Sequence, residues 1–71
     1  MYPQRHPVYT AGRYTVHRGK LDRGDSRAYW IEGPAGDGRI APLASCWYEG
    51  DAIRLADRMH AADTAATPPA A

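Results

Sequence analysis

Apolar residues recur with a helical period in only one stretch, residues 48–62 (YEGDAIRLADRMHAA). Ala52, Leu55, Ala56 and Met59 fall at i, i+3, i+4 and i+7, and Ile53 widens the stripe; Arg54, Asp57 and Arg58 take the opposite side. An isolated helix of about four turns is marginal in water, so the rest of the chain must supply a surface for that stripe. Glu49 and Asp51 favour the positive end of its dipole, Asp51 or Ser45 is the candidate N-cap, and His60 is expected in the last turn.

Upstream the period shortens to two. Residues 8–18 (VYTAGRYTVHR) read as one strand in which Tyr14 and Val16 alternate with Arg13, Thr15 and His17, with Gly12 marking a bulge or the true start. A polar, glycine-punctuated loop (19–26) leads to a second strand ending at Glu32 and built on AYWIE. Tyr29 and Ile31 share one of its faces, and Ala28, Trp30 and Glu32 the other. GPAGDG (33–38) is a turn, and residues 39–43 form a short third strand around Ile40, with Pro42 fitting an edge or an end. Short loops make neighbouring strands antiparallel. The expected fold is α+β, a three-stranded antiparallel β-meander with one C-terminal α-helix packed on one face (βββα). Its core is Tyr14, Val16, Tyr29, Ile31 and Ile40 against the helical stripe, with Cys46 or Trp47 plugging the end. Residues 1–7, broken by Pro3 and Pro7, are expected to be an extended or loose arm, 8–62 the single domain, and 63–71 a disordered tail.

Composition adds limits. At 71 residues the chain has room for one small domain, which buries only about 60% of its unfolded surface. The single cysteine excludes an intramolecular disulfide and fits a reducing, cytoplasmic setting. Met1 to Pro7 lacks the apolar stretch of a signal peptide, and no apolar run nears the roughly 20 residues of a membrane helix. Six bases against two acids give residues 1–27 a net charge of +4, and three against six leave 28–71 at −3. A dipolar surface with internal pairing explains that split without invoking a polyanion.

Candidate chemistry is sparse. His6, His17 and His60 sit in different elements without metal-site spacing, and a His17, His60 and Cys46 ligand set is conceivable only in three dimensions. A Cys46 nucleophile would need a cleft and an oxyanion donor that a single sheet layer does not provide. No enzymatic activity, cofactor or metal is expected. One constellation remains. With Tyr29 and Ile31 facing the helix, the open face presents Arg13, Thr15 and His17 beside Trp30 and Glu32, with Arg39 alongside. An aromatic flanked by bases suits a protein contact or stacked single-stranded nucleic acid. The alternative places Trp30 in the core, or under the arm with Tyr2 and Tyr9.

The runs YTVHR, AYWIEG, GRIAP and GDAIRLADRMHAA resemble small phage and mobile-element proteins that pair a short meander with a closing helix. Some proteins of that size and build are anti-CRISPR inhibitors. The resemblance implies a non-enzymatic inhibitor or modulator that occludes a host protein or ribonucleoprotein complex. The contact residues expected from the chain itself are Arg13, His17, Arg23, Arg27, Trp30 and Arg39. A small nucleic-acid-binding module using the same face, with weak nucleic acid contact, and a homodimer are the other readings; no membrane partner is expected.

Overall fold

The structure, a computed structural model, describes residues 3–66. Four strands precede the helix: β1 (Pro7–Ala11), β2 (Tyr14–Arg18), β3 (Tyr29–Pro34), β4 (Ile40–Cys46) and α1 (Glu49–Ala66). They form one antiparallel meander in the order β1-β2-β3-β4. The fold is α+β with a C-terminal helix as expected, but it has four strands rather than three. The difference lies at Gly12, which is neither bulge nor strand start. Ala11 pairs with Tyr14 across a two-residue loop, and Gly12 takes φ +59° while Arg13 stays at negative φ. Positive φ at the first loop residue alone is the II′ arrangement, whose twist matches that of paired strands. The expected long strand is therefore a hairpin.

Register assigns the faces. Val16 pairs with Ile31, and Ile31 with Ala44, on the side facing α1. Ala11, Tyr14, Val16 and Ile31 are buried there against Ala52 and Ala56, with Tyr9, Tyr29, Cys46, Leu55 and Met59 half-buried around them. The two alanines bring the helix close to the sheet. Val16, Ile31, Ala52 and Ala56 are wholly inaccessible, so the helical stripe and the two central strands make the core the periodicity predicts. Ile40 does not join it. Paired with Pro34, and separated from Ile31's partner by a register shift, it is 62% exposed. Trp47, 58% exposed, is no plug, whereas Cys46 does pack against the core.

The helix is 18 residues long, and Tyr48 rather than Asp51 or Ser45 occupies the N-cap position, its carbonyl accepting from the Ala52 amide at 3.1 Å. Because α1 runs on to Ala66, His60 lies above the last turn, its ring against Gly12. Residues 63–66 of the expected tail are helical, and Asp63 is ion-paired to Arg13. Residues 67–71, and Tyr2 of the arm, lie outside the described residues. No helix among the described residues is long and apolar enough to cross a membrane.

The arm is not loose over the residues described. Arg18 donates to the His6 carbonyl (2.8 Å) and Gln4 to the Lys20 carbonyl (3.0 Å), continuing the register of the Pro7–His17 pair beyond β1. The Gln4 side chain also accepts from the Lys20 amide at 2.9 Å. Prolines at 3 and 7 bias their neighbours toward extended backbone, which is the conformation a strand extension needs.

Candidate functional site

The sheet face away from α1 carries His17 and Trp30, directly paired across β2 and β3. Their rings stack with centroids 4.5 Å apart and planes 22° apart. Trp30 has no accessible surface, and its indole N–H donates to the Gln4 carbonyl at 2.8 Å. His17 is 5% exposed, and its Nε2 lies 3.1 Å from Glu32 Oε1. A carboxylate only accepts, so Nε2 carries the proton and donates. Nδ1 is buried with no hydrogen-bond partner among the described residues. Arg5 completes the arrangement from the arm. Its Nε and Nη2 donate to Glu32 Oε2 at 3.3 and 3.2 Å, and its Cζ lies 5.8 Å from the indole ring centre.

This arrangement corrects the expected open face. Trp30 is sealed by the arm and offers no ring to a stacked base or a partner surface. Of the six expected contact residues, the structure brings together only His17 and Trp30. Arg13 sits in the β1–β2 turn and reaches Asp63 on α1, hence on the helix side of the sheet. Arg23 and Arg27 lie in the β2–β3 loop. Arg39 is at the β3–β4 turn, loosely paired with Asp37 at 3.9 Å. These side chains form no common surface. Sequence reasoning missed Arg5 and Gln4, whose signal was the extended bias of a proline-flanked segment.

The β2–β3 loop is more ordered than its composition suggests. Asp22 accepts from the Gly24 amide (2.8 Å), and Asp25 accepts from both the amide (2.9 Å) and the Nε (3.2 Å) of Arg27. The Arg27 amide, assisted by Ser45 and the Arg27 side chain, holds the Asp25 carboxyl below the ordinary carboxylate range. Asp22, Gly24, Asp25, Ser26 and Arg27 line an open hollow whose far wall is Trp47. Tyr48, next along the chain, is 71% exposed. These adjacent aromatics join β4 to α1, so both flanking elements hold them in place.

Burial, and next the charge of Asp51, push the Cys46 thiol above its ordinary pKa, which lowers its thiolate fraction. Cys46 packs on the helix side of the sheet and His17 lies on the other, so the two cannot share a ligand. No group of three His, Cys, Asp or Glu side chains among the described residues is placed to hold a metal.

Fold and site together define a small α+β domain, an antiparallel meander closed by one helix, with a sealed aromatic cluster behind the sheet and an exposed aromatic pair at one end. No family model, curated protein or solved structure matches the chain.

Proposed function

We propose that this chain is a non-enzymatic binding protein, an inhibitor or modulator that works by covering part of another protein, and that its contact surface centres on Trp47 and Tyr48 with Arg27 beside them. The observation carrying this reading is the exposure of two adjacent large aromatics, 58% and 71%, in a chain that buries its other tryptophan completely. Trp, Tyr and Arg are the usual anchors of protein interfaces, and here Trp47 and Tyr48 stand side by side on the short connection between β4 and α1. Occlusion of a host ribonucleoprotein, as anti-CRISPR inhibitors perform it, is one form of this role.

Nucleic acid is the weaker reading. Trp30 has no free face for a base, and Arg5, Arg13, Arg27 and Arg39 each meet a carboxylate of the same chain, which lowers their value as phosphate partners. The test uses tagged chain as bait in host extract. A stoichiometric protein partner kept by Arg39→Ala and lost in Trp47→Ala/Tyr48→Ala, with unchanged circular dichroism, supports the reading. Salt-sensitive oligonucleotide binding that the aromatic double variant leaves intact overturns it.

A further inference from the structure

We propose that Trp30, Glu32 and His17 form a receptor for an arginine side chain, filled in this conformation by the chain's own Arg5 and open to an arginine of another polypeptide when the arm lifts. This site lies on the back of the sheet, apart from the Trp47–Tyr48 pair, and stands whether or not that pair binds a protein.

Receptor and ligand differ sharply in how they are held. Trp30 is inaccessible, His17 is 5% exposed, and the Glu32 side chain retains 18% of its exposure; all three project from paired positions of β2 and β3. The Arg5 side chain is 57% exposed and hangs from the margin of the fold. Within the receptor each group is fixed by another. The His17 ring is stacked on the indole, and its Nε2 engages Glu32 Oε1, leaving Oε2 aimed at the guanidinium. A carboxylate held on one oxygen, beside a fixed aromatic face, is already organised for a planar cation before that cation arrives. The guanidinium uses both features at once, two N–H groups on Oε2 and its Cζ 5.8 Å from the indole centre. An ammonium has neither the fork nor the flat face, so the receptor selects arginine over lysine.

Arg5 also shows how a ligand enters. It sits in an extended segment in which the Gln4 amide donates to the Lys20 carbonyl, the His6 carbonyl accepts from Arg18, and the Gln4 carbonyl accepts the indole N–H. An incoming chain that repeats this pattern, an extended segment with one arginine between two backbone-paired residues, gains the same contacts. Tethering gives Arg5 an effective concentration on the order of millimolar, so a free arginine competes poorly while Arg5 is present.

The test is carried out on the full chain with N-acetylarginine amide as probe, following the Trp30 indole N–H resonance and using that of Trp47 as internal control. In Arg5→Ala the Trp30 resonance should shift saturably. The wild type, the double variant Arg5→Ala/Glu32→Gln, and N-acetyllysine amide on Arg5→Ala should each respond about ten-fold more weakly. Equal responses of wild type and Arg5→Ala, indifference to Glu32→Gln, or movement of Trp47 in place of Trp30 overturns the proposal. Should alanine detach the arm, seen as faster exchange of the Arg18 amide, Arg5→Met keeps the aliphatic stem without the fork and carries the same titration. Sedimentation then distinguishes the source. A two-chain mass that falls to one chain in Arg5→Ala assigns the incoming arginine to Arg5 of a second copy, and a one-chain mass excludes that source.

Discussion

Gly33 is the buried penultimate residue of β3, in a strand where propensity disfavours glycine. It lies one step along from the Thr15–Glu32 pair, directly across from Tyr14. A Cβ at position 33 would sit 2.5 Å from Tyr14 Cδ1, 2.9 Å from Tyr14 Cε1 and 2.9 Å from Leu43 Cδ1. Leu43, at the exposed edge, is free to turn away. The Tyr14 ring, 8% exposed between the sheet and α1, is not. Gly33→Ala sets two effects against each other. Alanine reduces unfolded-state freedom, which stabilises by about 0.5–1 kcal/mol where the backbone accepts it. Forcing an extra carbon into a packed core costs about 1–3 kcal/mol. The second is larger here because the obstructing atoms belong to a rigid ring, leaving a net loss of about 1–2 kcal/mol. For a domain of this size that lowers Tm by roughly 4–16 °C, read directly from a circular dichroism melt.

Repeating the substitution in a Tyr14→Leu background isolates the ring. With the ring gone, the alanine should be neutral or stabilise by up to about 1 kcal/mol, a coupling opposite in sign to the single effect. An equal cost in both backgrounds, or a raised Tm in the wild-type background, would show that the ring does not explain the glycine.

Three further outcomes follow from particular contacts. The Tyr9 hydroxyl donates to Asp57 at 2.6 Å, and that bond, then desolvation and the carboxylate's charge, raise the Tyr9 pKa above 10.0. A raised folded value means this contribution is complete below pH 10.0 and fades as pH rises through the folded pKa, so the alkaline loss of stability should be smaller in Tyr9→Phe when melts are compared across that range. Gly12→Ala combines φ +59° with a Cβ 2.2 Å from His60 Nδ1, so it should cost about 2 kcal/mol or more in urea unfolding, and His60→Ala should restore only the steric part. Trp47→Ala removes a mostly exposed ring and should change stability by no more than about 0.5 kcal/mol while abolishing partner capture; a large fall in Tm would mean the ring is structural.

Periodicity made the front of the sheet legible because burial there has one cause. Tyr14, Val16, Tyr29 and Ile31 alternate on the same side as the helical stripe, and they meet Ala52 and Ala56 as their spacing requires. The hairpin within residues 8–18 was hidden because Ala11 and Tyr14, the residues flanking its turn, are both apolar enough to extend a strand, and only Gly12 carries the turn. Trp30 was legible as a large ring on the far face, and cover by the arm as one alternative, but the arm residues that make that cover were not. The arm that covers it binds through main-chain groups of Gln4 and His6, and backbone hydrogen bonding leaves no mark on side-chain patterning.

That hidden arm changes what surface is left for a partner. A single-layer meander ordinarily leaves one face to water, yet here Arg5, His17, Trp30 and Glu32 close much of it. The sheet edges are poor templates as well. Pro7 and a register shift interrupt β1, while Pro42 and the irregularity opposite β3 interrupt β4, and both devices discourage pairing with a foreign strand. Val8, Ile40 and Leu43 are exposed singly along the two edge strands, whereas Trp47 and Tyr48 are adjacent exposed aromatics at the junction of β4 and α1, and the proposed contact centres there. The two proposals therefore make opposite demands on the arm. A partner seated on the aromatic pair leaves the arm's bonds untouched, so the Arg18 amide keeps its protection from hydrogen exchange in the complex. A partner that delivers an arginine to Glu32 has to displace His6 from Arg18, and that amide then either exchanges freely or regains protection from the incoming chain, with the Trp30 indole resonance shifted in either case.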